Sequence, residues 1–310
     1  MALPNLAVVG FPKCGSTSIF HEFKQVPDIL TTLGEESTAF TGPMELENSA
    51  AMLEVKFYGG YTGQRYLADI HPALVYSKAD LERLRETCGA LKVICLLRDP
   101  LKRALSSYYH ALRWLAENRS IKQAFDDDLA HPVTSYQFDG RTLKHHLSLS
   151  RYDVFIPHLW DIFGRENVLC LEFEDYFSAS GSDRRRLVHW LGLDASKFPK
   201  PGQAHHNAGA NWVFKAEESV SLNVGGQRTE NERFVGIING QTGQFERYII
   251  DPSAQSWDWF KQAQAAVADN EGFDPSPYQT AFEDTLRFCQ DEVFNRAMER
   301  WGRTASAKAA

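Results

Sequence analysis

The sequence predicts an α/β fold, a P-loop-like parallel sheet flanked by helices, in a single domain with an irregular later insertion. Short apolar runs alternate along the chain with helical patterns, which is typical of a parallel sheet covered by helices. A glycine-rich turn joins the first apolar run to the first helical pattern. The 310 residues, 43% hydrophobic and 24% charged, fit one large globular domain.

The first strand and helix lie on either side of the glycine-rich turn. NLAVVG at 5–10 is an apolar run suited to a buried strand, and STSIFHEFKQ at 16–25 repeats apolar residues along one helical face. The turn FPKCG therefore lies between a strand end and a helix N-terminus. Backbone N–H groups and the helix dipole favour an anion there, so a phosphate site is predicted.

A second strand is followed by side chains suited to another phosphate. The helical DLERLRETCG at 80–89 precedes the apolar LKVICLL at 91–97, which ends at Arg98. Pro100 suits the first turn of the next helix, which carries Ser106. The guanidinium and the hydroxyl can converge on one phosphate. Two phosphate sites at neighbouring strand ends predict a ligand that is phosphorylated twice.

The pattern weakens towards the end of the chain. NVLCLEFED at 167–175 predicts a third strand, and the helical DRRRLVHWLGL follows it. Residues 203–275 show little periodicity and are interpreted as an acceptor-side insertion or lid within a domain of residues 1–303. A helix is predicted again in YQTAFEDTLRFCQDEVFNRAMERW, and residues 304–310 are predicted to be a disordered tail.

Charge and cysteine spacing argue against several classes of function. The net charge of −7 argues against an extended nucleic-acid surface. The five cysteines have no C-x-x-C spacing, so neither a disulfide framework nor a metal site is predicted, and a reducing cytoplasm is the expected location. Neither a signal peptide nor a membrane-spanning segment is predicted.

The two phosphate motifs together resemble those of sulfotransferases that use 3′-phosphoadenosine 5′-phosphosulfate (PAPS). FPKCGSTSI is similar to the family's 5′-phosphosulfate loop, P-K-x-G-[ST]-[ST]-x, and RDPLKRALSSYY is similar to its 3′-phosphate motif, R-[DN]-P-x-x-R-x-x-S-x-Y. The resemblance continues through SRYDVFIPHLWDIFGRENVLCLEFEDYF and LVHWLGL, and so covers roughly the first two thirds of the chain. It is closest to the carbohydrate and bacterial natural-product branch.

The resemblance implies a role for each motif residue. Lys13 is implied to contact the 5′-phosphate and the bridging oxygen, where charge builds as the S–O bond breaks. Arg98 and Ser106 are implied to bind the 3′-phosphate, and Tyr152 to lie near the nucleotide. The rest of the donor loop is implied to surround the 5′-phosphate, although nothing around its cysteine requires a thiol; these residues are Cys14, Gly15, Ser16, Thr17 and Ser18.

Two segments compete for the general base. LGEESTAF lies where the carbohydrate branch of the resembled family has a glutamate, and both Glu35 and Glu36 fit. ADIHPALVY lies where that branch reads E-[KS]-[ST]-P-x-Y, but Asp69 and His71 take the polar positions and the customary lysine is absent. We rank His71 and Glu36 together, because a neutral imidazole accepts a proton near pH 7 and Glu36 has the family's spacing. Glu35 ranks third.

The predicted reaction is direct, in-line transfer of a sulfonate from PAPS to an acceptor hydroxyl, releasing adenosine 3′,5′-bisphosphate without a metal. A P-loop kinase using ATP and Mg²⁺ is the alternative enzyme, although the lysine that follows the second glycine of a Walker A loop is absent. A nucleotide-binding module without catalysis is the other alternative. The negative net charge favours small-molecule, carrier-bound or weakly charged sugar acceptors over a dense polyanion.

Overall fold

The structure of the 310-residue chain is a computed structural model. The residues that the structure describes are 3–34, 37, 40, 58–113, 116–136, 144–179, 181–200, 261–263, 265–266, 269–270, 272–295 and 301, together with the backbone of five strands between 212 and 250. All statements below concern these residues.

A five-stranded parallel sheet forms the centre of the described structure. Its strands are β1 Leu6–Gly10, β2 Ile29–Thr31, β3 Tyr66–Ile70, β4 Lys92–Leu97 and β5 Val168–Glu172. They lie in the order β2-β3-β1-β4-β5, and every neighbouring pair is parallel. All residues of β1 and β3 are buried, as expected for strands covered on both faces. The predicted parallel sheet flanked by helices is confirmed.

The helices follow the strands closely. The α-helices are α1 Ser16–Phe23, α2 Lys78–Cys88, α3 Pro100–Arg113, α4 Ile121–Ala130, α5 Tyr152–Phe163, α6 Phe173–Tyr176, α7 Ser182–Leu191 and α8 Glu283–Phe288. Shorter 3₁₀ helices are Pro72–Tyr76, Ser148–Ser150, Arg165–Asn167, Ala195–Lys197 and Ser276–Phe282, and Cys289–Phe294 is a π-helix. Within the described parts of the chain, none of the helices has the length and hydropathy of a membrane span.

The third predicted strand is shorter than its apolar pattern indicates. β5 ends at Glu172, and the next four residues form α6. The cause is Asp175, whose carboxylate accepts hydrogen bonds from the Ser182 hydroxyl and the Asp183 N–H, both at 2.6 Å, at the start of α7. This turn brings Phe173 and Glu174 to the edge of the sheet where the donor loop lies.

The weakly patterned region 203–275 contains antiparallel strands in its described part. β6 Trp212–Glu217, β9 Arg233–Asn239 and β10 Phe245–Ile250 form one sheet in the order β10-β9-β6. β7 Leu222–Val224 pairs with β8 Gln227–Thr229. The interpretation of this region as an acceptor-side insertion or lid stays a prediction.

The crevice between β1 and β4 is the natural ligand site of this topology. From β1 the chain passes to β2 and β3 on one side, whereas from β4 it passes to β5 on the other. Open α/β sheets bind ligands at the carboxyl ends of strands, where the order reverses in this way. The Phe11 N–H donates to the Leu96 carbonyl at 2.9 Å, so the segments carrying Lys13 and Arg98 leave the sheet side by side.

Candidate active site

The loop between β1 and α1 has the geometry of an anion site. Gly15 is the N-cap of α1 with φ 93° and ψ 22°, and its cap has no side-chain hydrogen bond. A Cβ on Gly15 would lie 2.8 Å from the Phe173 ring, so glycine is required for both backbone conformation and space. The first N–H groups of an α-helix have no partner within the helix, and Ser16, Thr17 and Ser18 supply them here.

Lys13 and Cys14 occupy opposite surroundings within this loop. Lys13 is half-buried and has φ 72°, a left-handed conformation that residues with side chains rarely adopt and that is common at functional sites. The Cys14 N–H donates to the Phe11 carbonyl at 3.1 Å, and its side chain is fully buried. Burial raises the pKa of Cys14 to about 11, so the thiol is protonated at neutral pH.

A buried arginine contacts the loop from the protein core. Arg103 on α3 is fully buried, and its Nη1 donates to the Pro12 carbonyl at 3.4 Å and to the Tyr76 hydroxyl at 2.8 Å. Its Nε donates to Ser150 Oγ at 2.6 Å, and its Nη2 donates to the His146 carbonyl at 3.1 Å. We call these five residues the Arg103 network. This network could not be predicted from the sequence, because the second arginine of RDPLKR carries no local sign of burial.

Tyr152 connects the loop to the end of β4. Its hydroxyl donates to the Arg98 carbonyl at 2.8 Å and lies 3.8 Å from Cys14 Sγ. Its ring is fully buried and packs against Phe11, with ring centroids 4.5 Å apart. Tyr152 therefore holds the two motifs together from within the protein.

Arg98 lies at the carboxyl end of β4 and keeps part of its surface in solvent. Its side chain is 18% exposed, with Nε 3.5 Å from Glu174 Oε1 and the guanidinium carbon 5.2 Å from the centre of the Phe173 ring. Asp99 starts α3, because its Oδ1 accepts the Lys102 N–H at 2.9 Å. Half-buried Ser106 follows about two turns along this helix.

A family model described as the sulfotransferase domain matches residues 3–255, which include both motifs. The chain belongs to the sulfotransferase family. The predicted family resemblance is therefore confirmed.

Several known proteins are similar to this sulfotransferase. "Membrane-associated sulfotransferase kil1" of Dictyostelium discoideum is 28% identical over 120 residues, which are 39% of this chain and 26% of that protein. The match thus spans about a quarter of that curated relative. A sulfotransferase from Alicyclobacillus acidocaldarius superposes with a TM-score of 0.54 at 21% identity, covering 66% of this chain and 87% of that one, which shows a shared fold. The sulfotransferase domain from the curacin biosynthetic pathway has a TM-score of 0.40 at 15% identity, covering 66% and 79%.

His71, one predicted base of this sulfotransferase, directly follows β3 beside β1. Its N–H donates to the Val8 carbonyl at 3.0 Å, and the residue is 1% exposed. Burial lowers the pKa of His71 to about 4, so the imidazole is neutral at pH 7 but is a weaker base than the ordinary histidine assumed in the sequence analysis. The neighbouring Asp69 is also buried, and desolvation raises its pKa to about 6.

Glu35 and Glu36, the other predicted bases, lie outside the described residues. The next residue, Ser37, donates its N–H to the Ile70 carbonyl at 2.9 Å. Ser37 therefore lies beside the end of β3, at the residue that directly precedes His71 in the sequence. The two segments that compete for the general base meet at this hydrogen bond.

Two residues at the site, Phe173 and Glu174, are absent from the sequence-based candidates. They reach the donor loop only because β5 ends one residue before them. Burial raises the pKa of Glu174 above its usual range, and Arg98 opposes that shift. The signal in the sequence was the acidic FED segment at a strand end adjacent to β4.

Proposed function

We propose that this sulfotransferase takes its sulfonate from PAPS, passes it to an acceptor hydroxyl and releases adenosine 3′,5′-bisphosphate. The observation that carries the proposal is the pairing of two anion-binding elements across the crevice between β1 and β4. One is the N-terminus of α1 at Gly15, and the other is Arg98. Tyr152 contacts both segments. PAPS has phosphorylated groups at two positions of one ribose, which suits two adjacent anion sites.

The donor is held by backbone on one side and by side chains on the other. The N–H groups of the α1 N-terminus, from Gly15 to Ser18, bind the 5′-phosphate, since the helix dipole and the N–H groups both favour an anion. Cys14 supports this loop from the core, where its thiol is buried. Arg98 and Ser106 bind the 3′-phosphate, and a guanidinium can make two parallel hydrogen bonds to it.

Lys13 stabilises the leaving group in this proposal. As the S–O bond breaks, negative charge develops on the oxygen between sulfur and the 5′-phosphate. A fixed ammonium beside that oxygen stabilises the transition state more than the ground state. The sulfonate passes in line to the acceptor oxygen, without a covalent enzyme intermediate and without a metal.

The acceptor hydroxyl loses its proton to His71, Glu36 or Glu35. The Ser37–Ile70 hydrogen bond supports this choice of region, because it joins both candidate segments at the strand end next to β1. The acceptor is a small molecule, a carrier-bound intermediate or a weakly charged sugar, since the net charge of −7 disfavours a dense polyanion. The enzyme acts in the cytoplasm.

Binding and turnover experiments without divalent metal test the proposal. Calorimetry in EDTA should show binding of adenosine 3′,5′-bisphosphate and much weaker binding of ATP. Labelled PAPS should then transfer its sulfonate to members of a panel of hydroxylated acceptors. A Mg²⁺-dependent preference for ATP would identify a kinase, and PAPS binding without any turnover would identify a non-catalytic module.

A further inference from the structure

A carboxylate lies inside the proposed anion site. Glu174 Oε1 is 3.5 Å from Arg98 Nε, the Glu174 side chain is 20% exposed, and its Oε2 is buried. Phosphate sites are built from N–H groups and cations, since both favour negative charge. An ionised carboxylate in contact with the phosphate-binding arginine opposes the ligand, so its position there calls for an explanation.

The geometry of this pair differs from that of a permanent ion pair in the same protein. Glu117 accepts hydrogen bonds from Arg119 Nε at 2.9 Å and from Nη2 at 2.7 Å. Although burial opposes ionisation, those bonds hold the pKa of Glu117 well below its usual range. Arg98 Nε, in contrast, makes no hydrogen bond to the described residues. Glu174 therefore balances the charge of Arg98 without fixing the position of its guanidinium through hydrogen bonds from Nε.

The charges around Glu174 depend on its protonation. The groups that face it include Arg98, Asp99 and Lys102 from the β4–α3 connection and the protonated thiol of Cys14 from the loop. Asp99 is committed to capping α3. When Glu174 is ionised, two cations and two carboxylates cancel. When Glu174 is neutral, the cluster has one net positive charge and attracts a phosphate dianion.

We propose that Glu174 is the counter-ion of Arg98 before the nucleotide binds and that it takes up a proton from solvent when the 3′-phosphate replaces it at Arg98. This inference rests on the proposed donor site. Burial raises the pKa of Glu174, which brings protonation closer to neutral pH. Because one proton is bound with the nucleotide, affinity falls about tenfold for each pH unit above the titration of Glu174. The ionised carboxylate also competes for Arg98 and so assists release of the product.

Proton uptake by the unmodified protein is the first test. Calorimetry with adenosine 3′,5′-bisphosphate, at about pH 7.5–9 where phosphates are fully ionised, is run in buffers of different ionisation enthalpy. We expect uptake of about one proton with the bisphosphate and none with adenosine 5′-phosphate, which lacks the group assigned to Arg98. Absence of proton uptake with the bisphosphate overturns the inference without any variant.

The second test removes the charge and keeps the shape. Glu174→Gln should bind the bisphosphate about tenfold or more tightly at the upper end of that pH range, lose the pH dependence, and change little towards adenosine 5′-phosphate. Glu292→Gln is the matched control, because it removes a carboxylate at the same 3.5 Å distance from an arginine, Arg165, on the surface. In an Arg98→Ala background the Glu174→Gln effect should be much smaller, because the ion pair with Arg98 is already absent.

The outcomes separate this inference from the proposed function. Unchanged or weaker bisphosphate binding by Glu174→Gln overturns the counter-ion role while leaving the donor site intact. Tightening of the same size without Arg98 also overturns it, because the partner of Glu174 would then be another group. If the unmodified protein does not bind the bisphosphate at all, the proposed donor fails and the inference fails with it.

Discussion

Arg98 and Arg103 lie five residues apart in one strand–helix connection, yet their surroundings are opposite. Arg103 is fully buried, and its guanidinium donates to four acceptors that are all uncharged. Arg98 is partly exposed, and among the described residues its guanidinium forms a loose ion pair with Glu174, at 3.5 Å. Arg103 therefore holds the surrounding segments in place from the core, whereas Arg98 keeps surface that a ligand can contact.

The difference divides the site into a floor and a face. The floor is the Arg103 network, in which each of the four acceptors receives an N–H of the Arg103 guanidinium. These hydrogen bonds set the position of Pro12 and therefore of the loop. The face is formed by Lys13, Arg98 and Ser106, which retain contact with solvent. A buried charge is tolerated only when hydrogen bonds replace its hydration. Changes to the floor should therefore cost stability, and changes to the face should cost binding or turnover.

Removal of the general base should have the largest effect, and it tests which side of this division His71 belongs to. Loss of the true base from the set His71→Ala, Glu36→Gln and Glu35→Gln should lower kcat by about 10²–10⁴-fold, with bisphosphate affinity nearly unchanged. Turnover against pH, bisphosphate binding and thermal unfolding are measured for each. His71 is as buried as the residues of the floor, so a loss of stability without a loss of kcat would give it a structural role. Near-normal turnover in all three variants would place the base elsewhere.

Lys13→Ala tests whether the face acts in the transition state. The variant should lower kcat by about 10²–10³-fold, as expected for loss of one preorganised charge-stabilising group. Bisphosphate affinity should fall far less, because the bridging-oxygen charge develops only as the bond breaks. Lys78→Ala, at an exposed surface pair with Glu82, is the control. Equal losses in kcat and in affinity would make Lys13 a simple binding residue.

The positions of the face residues were easier to predict from the sequence than those of the floor residues. Gly15 and Arg98 could be placed at strand ends from the sequence because each belongs to a local pattern, a strand end followed by a helix start, whereas the role proposed for Lys13 rests on the family resemblance. Arg103 could not, because its acceptors come from segments distant in sequence and its burial is a property of the assembled core. The end of β5 was misplaced for a similar reason, since Asp175 leaves the strand to cap α7.

The strands of the later region show the same limit. β9 pairs in antiparallel fashion with β6 on one side and with β10 on the other. The sequences of these strands alternate between apolar and polar residues too weakly to predict strands. Strand formation depends on the partners that a segment meets, more than helix formation does. Helices α1, α2 and α3 were predicted close to their observed starts because their caps and apolar faces are local.

Arg103→Met should affect the floor and therefore stability. Each buried acceptor left without a donor costs about 1–3 kcal/mol, so the free energy of unfolding should fall markedly. Arg103→Lys should not restore it, because one ammonium cannot reproduce the planar set of donors. Thermal and urea unfolding measure the change, with Arg287→Met at an exposed position as control. A normal unfolding temperature for both Arg103 variants would contradict the floor assignment.

Arg98→Ala should affect the face and leave stability almost unchanged. A charge-assisted hydrogen bond contributes about 1.5–3 kcal/mol, so preference for adenosine 3′,5′-bisphosphate over adenosine 5′-phosphate should fall by about tenfold or more. Unfolding of the ligand-free protein is measured alongside both affinities. Unchanged discrimination between the two nucleotides would remove Arg98 from the 3′-phosphate site.

Tyr152→Phe should have the smallest effect, and it tests the boundary between floor and face. The substitution keeps the ring against Phe11 and removes the hydroxyl, which donates to the Arg98 carbonyl at 2.8 Å and accepts from the Arg98 N–H at 3.4 Å. A neutral hydrogen bond contributes about 0.5–1.5 kcal/mol and the second of these is long, so bisphosphate affinity and kcat should each change only a few-fold. Tyr61→Phe, at an exposed position, is the control. A much larger loss of bisphosphate affinity, with stability unchanged, would instead show that the hydroxyl contacts the nucleotide itself. Tyr152 would then belong to the face, despite the complete burial of its side chain.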